Sequence, residues 1–231
     1  MDKSLMTNEN TEFRSKVLST LRALKFDRGS KLMIPIYNKE EVVAHLVPLT
    51  ADFTNEEVKL LAEWREANAQ WFPSQFKVTE EGTKKWVQAQ VIEAEDRILF
   101  WIQALDGSLL GHIGLYRFDF EDRSCEIDNV MRGKQDAMPG IMTMALKSLL
   151  HWSFTTLELQ ALTLRVFSDN ERAIVLYQRC GFEKVRDIPL KKVVSETMTQ
   201  WVESENGSEE KVERYFRQFR ITKLKYDTQN K

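Results

Sequence analysis

Residues 170–182 read Asn170-Glu-Arg-Ala-Ile-Val-Leu-Tyr-Gln-Arg-Cys-Gly-Phe182, and this stretch decides the fold. It follows a strand-like run, Ala161-Leu-Thr-Leu-Arg-Val-Phe167, and a turn, Ser168-Asp169-Asn170. Glu171 opens a helix along which Ala173, Leu176, Tyr177 and Cys180 recur at helical spacing. Gly181 stands where a left-handed residue ends a helix, and Phe182 starts a further strand, Phe182-Glu-Lys-Val-Arg186.

Working outward, the pattern alternates strands and helices. Val42–Pro48 reads as a strand, and Thr54-Asn-Glu-Glu57 as a capping box opening a helix with Leu60, Trp64, Ala67 and Trp71 on one stripe. Phe72-Pro73 ends it, and a second helix spans about Thr79 to Ile92. Arg97–Gln103 and Leu109–Asp119 form a hairpin about Asp106-Gly107, and Cys125–Met131 is another strand. A helix over Pro139–Phe154 turns Ile141, Ala145, Leu149 and Trp152 to one side. Lys191–Trp201 and Val212–Thr222 are expected to pair as terminal strands around a polar loop, Glu203–Lys211, with a tight turn at Asn206-Gly207. Residues 1–40 read as an extension with a short amphipathic helix carrying Phe13, Val17, Leu21 and Leu24, and an edge strand over Lys31–Tyr37. Residues 41–231 form one domain of mixed α/β layers.

Composition narrows the function. With 231 residues, 42% hydrophobic and 29% charged, the chain has a soluble composition. A net charge of −2 gives no basic field for nucleic acid or an anionic membrane. No run approaches a membrane span and no secretory signal opens the chain, so a cytoplasmic protein is expected. Cys125 and Cys180 read as reduced packing residues. His45, His112 and His151 show no ligand spacing, so no metal is expected.

The order Asn-x-x-Ala-x-x-Leu-Tyr-x-x-x-Gly-Phe over 170–182 resembles the C-terminal motif of the GNAT superfamily of acyl-CoA-dependent N-acyltransferases. The likeness covers roughly residues 42–190. It implies a mostly antiparallel sheet flanked by helices, with two strands splayed at an acyl-CoA site, acetyl-CoA as donor, and a small-molecule amine as acceptor. It also implies that Asn170 bonds the pantetheine arm, with Ala173 beside it, and that Tyr177 protonates the departing thiolate.

A diphosphate needs free N–H groups at a helix N-terminus, and Val130, Met131, Arg132, Gly133, Lys134, Pro139, Gly140 and Ile141 supply a strand, a loop and a helix opening. Pro139 suits a first helical turn. Against the family's Arg/Gln-x-x-Gly-x-Gly/Ala, Ala137 stands at the Arg/Gln position and Met142 at the second small one. Arg132 and Lys134 offer the missing charge.

Strict alternation sets Cys125, Ile127 and Met131 on a core face, and Glu126, Asp128 and Val130 on a cleft face. By resemblance, a backbone N–H near Val130 or Met131 stabilises the oxyanion, and Glu126, then Asp128, is the base. His112 is a substrate contact, a base or a structural histidine. Arg65, Asn68 and Trp71, with Phe72, suggest an acceptor wall or helix packing. The segment from Trp64 to Gly133 resembles GNAT proteins of amino-sugar and surface-glycan synthesis, so an amino sugar is the leading acceptor. Protein amines, amino acids and polyamines are runners-up, the last through Asp119, Glu121, Asp122, Glu126 and Asp128; a non-catalytic acyl-CoA sensor is the alternative class. The terminal strands and the first helix offer surfaces for a homodimer.

Overall fold

The computed structural model describes residues 3–27, 33–204 and 212–229. The expected turn at Asn206-Gly207 and the start of the Lys31–Tyr37 strand lie outside them. In chain order the elements are α1 Lys3–Phe26, β1 Ile34–Asn38, β2 Glu41–Pro48, α2 Asn55–Ala67, β3 Ser74–Phe76, α3 Glu80–Val87, β4 Ile98–Ala104, β5 Leu109–Asp119 and β6 Ser124–Arg132. Then come α4 Ile141–Thr155, β7 Ala161–Phe167, α5 Glu171–Arg179, β8 Glu183–Val194, β9 Met198–Glu203, β10 Arg214–Thr222 and α6 Lys223–Gln229.

All ten strands join one sheet in the order β1-β2-β4-β5-β6-β7-β10-β8-β9-β3. Every pairing is antiparallel except that of β6 with β7. Period-2 alternation splits the apolar residues between the two faces. On β4, Ile98, Phe100 and Ile102 join a core with α1, α4 and α5. Leu99 and Trp101 on the same strand join a second core with Trp64 of α2, Val87 of α3, and Val91.

Local chemistry sets the helix ends. Thr54 caps α2, accepting from Glu57 N while the Glu57 carboxylate accepts from Thr54 N, the reciprocal capping box. Thr79 caps α3, which continues through a π turn at Gln88–Ile92. Gly181, at φ +92°, ends α5 in the left-handed region.

Three expectations change. The first helix is not a short appendage: α1 spans 24 residues, and Phe13, Val17, Leu21 and Leu24 are buried in the main core. The buried Lys25 ammonium donates to the carbonyls of Val91 (3.1 Å) and Ala94 (2.5 Å), tying α1 to the segment after α3. The α2 stripe is shorter than expected because the helix stops at Ala67. Val58, Leu61, Ala62 and Trp64 make its buried face, while Trp71 sits on a separate 3₁₀ turn. Finally, Lys191–Trp201 is not one strand. It holds the end of β8, a turn, and the start of β9, and β10 inserts between β7 and β8 instead of pairing with β9.

Because α1 belongs to the core, Leu21→Ala should cost about 2–5 kcal/mol in urea unfolding, as for a buried leucine. A loss under about 1 kcal/mol would mark the helix as peripheral.

Candidate active site

The site begins where β6 and β7 part. Their parallel pairing covers only Ser124–Ala161, Cys125–Leu162 and Glu126–Thr163, although β6 runs on to Arg132 and β7 to Phe167. The sheet is therefore forked. A cleft of about 590 Å³ fills the fork, bounded by β6, the start of α4 and α5.

A bulge shapes β6 inside the fork. Asp128 pairs with Gly114 and Met131 with His112, so three steps on β6 match two on β5. Asn129 takes the extra position at φ +50°. The bulge corrects the expected faces. Val130 moves to the core of Cys125 and Ile127, while Met131 joins Trp64 and Trp101 on the side of Glu126 and Asp128.

Val130, Met131, Arg132, Gly140, Ile141, Asn170, Ala173 and Tyr177 line the cleft, with Asn68 and Trp71 at one side. Gly133, Lys134 and Pro139 do not line it. Gly133 packs flat on Trp64, where an added Cβ would come within 2.2 Å of the indole. Pro139 precedes the helix instead of occupying its first turn. Gly140, at φ +81°, is the N-cap, and an added Cβ there would meet nothing within 4 Å. The backbone N–H groups of Gly140 and Met142 have no partner among the described residues, which leaves donors at a helix start.

The charge on this loop is arranged differently from expectation. Arg132 donates to the carbonyls of Lys134 (3.1 Å), Gln135 (2.6 Å) and Ala137 (2.8 Å), stapling its own loop. Ala137 is buried in the core. Two arginines missed in the sequence, Arg172 and Arg179, also line the cleft. They lie seven residues apart on α5, hence on one face, and that spacing was the available signal.

Asn170 caps α5, its Oδ1 accepting from Ala173 N at 3.2 Å, and also lines the cleft. Tyr177 is buried to 6% exposure at the cleft wall, and no hydrogen bond to its hydroxyl is found among the described residues. Burial, with a smaller effect from Cys180, pushes the phenol well above its ordinary pKa, so it keeps its proton. Both cysteines are free and buried, as read.

The carboxylates of β6 do not line the cleft. Arg165 grips Glu126 through two bonds of 2.9 and 3.2 Å, and Arg117 adds a contact at 3.4 Å. Asp128 is paired with Arg97 and accepts from Asn129 Nδ2 at 2.6 Å. Its Oδ1 is buried without a partner, and burial, outweighing Arg97, raises its pKa.

The remaining candidates divide. His112 is buried and absent from the cleft wall, with Trp64 and Trp101 at 6.0 Å centroid distance. Its Nδ1 lies 2.7 Å from the Asn129 carbonyl. Burial lowers its pKa to about 4, so the ring is neutral and Nδ1–H donates. Arg65 bonds the Ser74 carbonyl, with its guanidinium 3.5 Å from the Phe72 ring centroid, and is helix packing. Asn68 and Trp71 face the cleft.

Residues 45–183 match the family model for the acetyltransferase (GNAT) domain, 60% of the chain. The chain belongs to the GNAT acetyltransferase family. Members of this family transfer acetyl from acetyl-CoA to an amine, and the chain is an acetyl-CoA-dependent N-acetyltransferase. The fold agrees with that of a spermidine N-acetyltransferase from Vibrio cholerae in complex with CoA and spermine. Their TM-score is 0.59 at 15% identity, covering 75% of this chain and 94% of that one. A second structure of the Vibrio cholerae enzyme, in complex with manganese ions, gives 0.58 at 16% identity over 82% and 98%. No curated protein sequence matches. Among the described residues no cluster suited to a metal ion is found, and no helix is long and apolar enough to cross a membrane.

The neutral His112 has a measurable signature. Its folded pKa of about 4 lies below the ordinary 6.5, so the unfolded chain binds the extra proton. The contribution of His112 should be constant above pH 6.5 and fall as the pH drops toward 4, by about 3 kcal/mol in all. Urea unfolding at pH 7.5, 5.5 and 4.5 should show this fall, reduced in His112→Asn; an equal slope in both proteins would contradict it.

Proposed function

We propose that the protein acetylates the primary amine of a small molecule by direct attack on acetyl-CoA in the fork, with an amino sugar as the preferred acceptor. The observation that carries the size limit is the bridge from α2 to the far sheet edge. β3 pairs with β9, Trp201 N donates to the Pro73 carbonyl at 2.7 Å, and Arg214 donates to the Gln70 carbonyl at 3.3 Å. Asn68 and Trp71, beside the residues this strap holds, line the cleft, and a wall fixed in this way suits a small acceptor better than a protein chain.

Charge supports an acceptor with an uncharged body. Glu126 and Asp128 are held by arginines, as is Asp169 by the bidentate Arg214. The run Asp119, Glu121 and Asp122 forms the β5–β6 turn, where Asp119 Oδ1 accepts from Glu121 N and Asp122 N, so it makes no acidic trough at the cleft. Trp71 offers an indole against which a sugar ring stacks. A polyamine is the second reading. It is favoured by exposed Glu171 at the cleft and by the fold shared with spermidine acetyltransferases.

In this reading the thioester sits beside Tyr177, and a backbone N–H of Val130 or Met131 receives the developing oxyanion. Tyr177, protonated and unpaired, donates to the departing sulfur. Glu126 is not placed to take the proton, because Arg165 and Arg117 occupy both its oxygens and it does not line the cleft. We assign the ammonium proton to water, and the rate then follows the amine's own ionisation.

Tyr177→Phe should lower kcat roughly 100-fold while the Kd for acetyl-CoA moves less than about threefold. Unchanged kcat would remove Tyr177 as the acid. Glu126→Gln should leave the pH profile of kcat/KM in place; loss of its acidic limb would restore Glu126 as the base. In a thiol-release assay, amino sugars and their nucleotide-linked forms should exceed spermidine by about tenfold or more in kcat/KM. The reverse ranking would establish the polyamine reading.

A further inference from the structure

The bulge residue Asn129 is gripped at both ends. Its carbonyl accepts from His112 Nδ1 at 2.7 Å, and its side-chain Nδ2 donates to Asp128 Oδ2 at 2.6 Å, the carboxylate being held in turn by Arg97. His112 is itself confined between Trp64 of α2 and Trp101 of β4. Gly111 and Gly114 flank it on β5, where an added Cβ would come within 2.2 Å of the Met131 carbonyl and 2.7 Å of Asp128 Oδ1. No ligand contact explains this density of polar contacts, since neither His112 nor Asp128 lines the cleft.

Peptide geometry supplies the explanation. The Asn129–Val130 peptide is planar and trans, so the Asn129 carbonyl and the Val130 N–H point in opposite directions. The carbonyl is drawn toward the His112 ring, on the face of the sheet that carries Trp64 and Trp101. The Val130 N–H therefore points the opposite way, away from His112. Val130 also lines the cleft.

We propose that His112 and Asp128 are positioning residues, which lock the Asn129 peptide so that the Val130 N–H is the donor to the acetyl carbonyl oxygen. The inference rests on the acetyl-CoA reading of the fork and selects Val130 over Met131. It also removes Asp128 from the role of base.

The test uses imidazole mimicry in the whole protein. Asparagine at 112 sets its Nδ2 where the imidazole carries Nδ1, whereas glutamine reaches the Nε2 position, and phenylalanine keeps only the ring. His112→Gln and His112→Phe should lower kcat by about 100-fold, the usual effect of losing one oxyanion donor, with the Kd for CoA unchanged within about threefold. His112→Asn should recover to within about fivefold of the parent. With carbonyl-labelled acetyl-CoA bound, the thioester infrared band should lie below its solution frequency in the parent and His112→Asn, and return toward it in His112→Gln. Asp128→Asn should lower kcat/KM by one factor at every pH. Equal activity in the Asn and Gln variants, an unshifted band in the parent, or loss of the acidic limb in Asp128→Asn would overturn the proposal. If His112→Phe fails to fold, the Asn–Gln comparison decides alone. A parent protein that binds no CoA would instead sink the reading of the fork, an outcome distinct from CoA binding retained with all variants fully active.

Discussion

Everything at this site depends on β6 leaving its parallel neighbour after three paired residues. A strand edge with unsatisfied N–H and C=O groups is costly inside a protein, because water must be replaced or a partner found. Here the edge opens into a cleft, where a ligand carrying amides and a thioester can satisfy it. The remaining elements hold that gap open. The bulge at Asn129 bends β6, α4 starts at its far end with a left-handed glycine, and α5 walls it with Tyr177. The single parallel pairing in the sheet is thus also the hinge point of the chemistry.

Charge in this region is organised as pairs. Glu126, Asp128 and Asp169 each meet an arginine, and Arg165 further reaches Glu203 and the Tyr116 hydroxyl. Half-buried ions persist only when compensated in this way. The consequence is a face that looks acidic in the sequence and is nearly neutral in the fold. Arg165 and Arg117 occupy both Glu126 oxygens, and neither carboxylate of β6 lines the cleft.

The fold was legible wherever a local signal had a local cause. The capping box at Thr54, the hairpin over residues 98–119, the glycine ending α5 and the helix after Gly140 follow from nearby residues, and each is present. On α5, Ala173 and Tyr177 were legible as cleft residues because a helix fixes their spacing, whereas Arg172 and Arg179 went unread although they carry the same signal. What failed depended on distant partners. Alternation along β6 put Val130 and Met131 on the wrong faces, because the strand holds a bulge at Asn129, whose carbonyl meets His112 of the neighbouring β5. His112, legible as a substrate contact, a base or a structural residue, is buried and does not line the cleft. Likewise β10 inserts beside β7, and α1 enters the core, through contacts 50 or more residues away in the chain.

The central claim is that acetyl-CoA enters the fork with its thioester between the β6 bulge and Tyr177. A crystal structure with a thioether analogue that keeps the acetyl carbonyl tests it most directly. The account predicts the carbonyl oxygen within hydrogen-bond distance of a backbone N–H at Val130 or Met131, the analogue's sulfur replacement beside the Tyr177 hydroxyl, and the diphosphate at Gly140. A pantetheine arm lying outside the fork, with Tyr177 untouched, would contradict it.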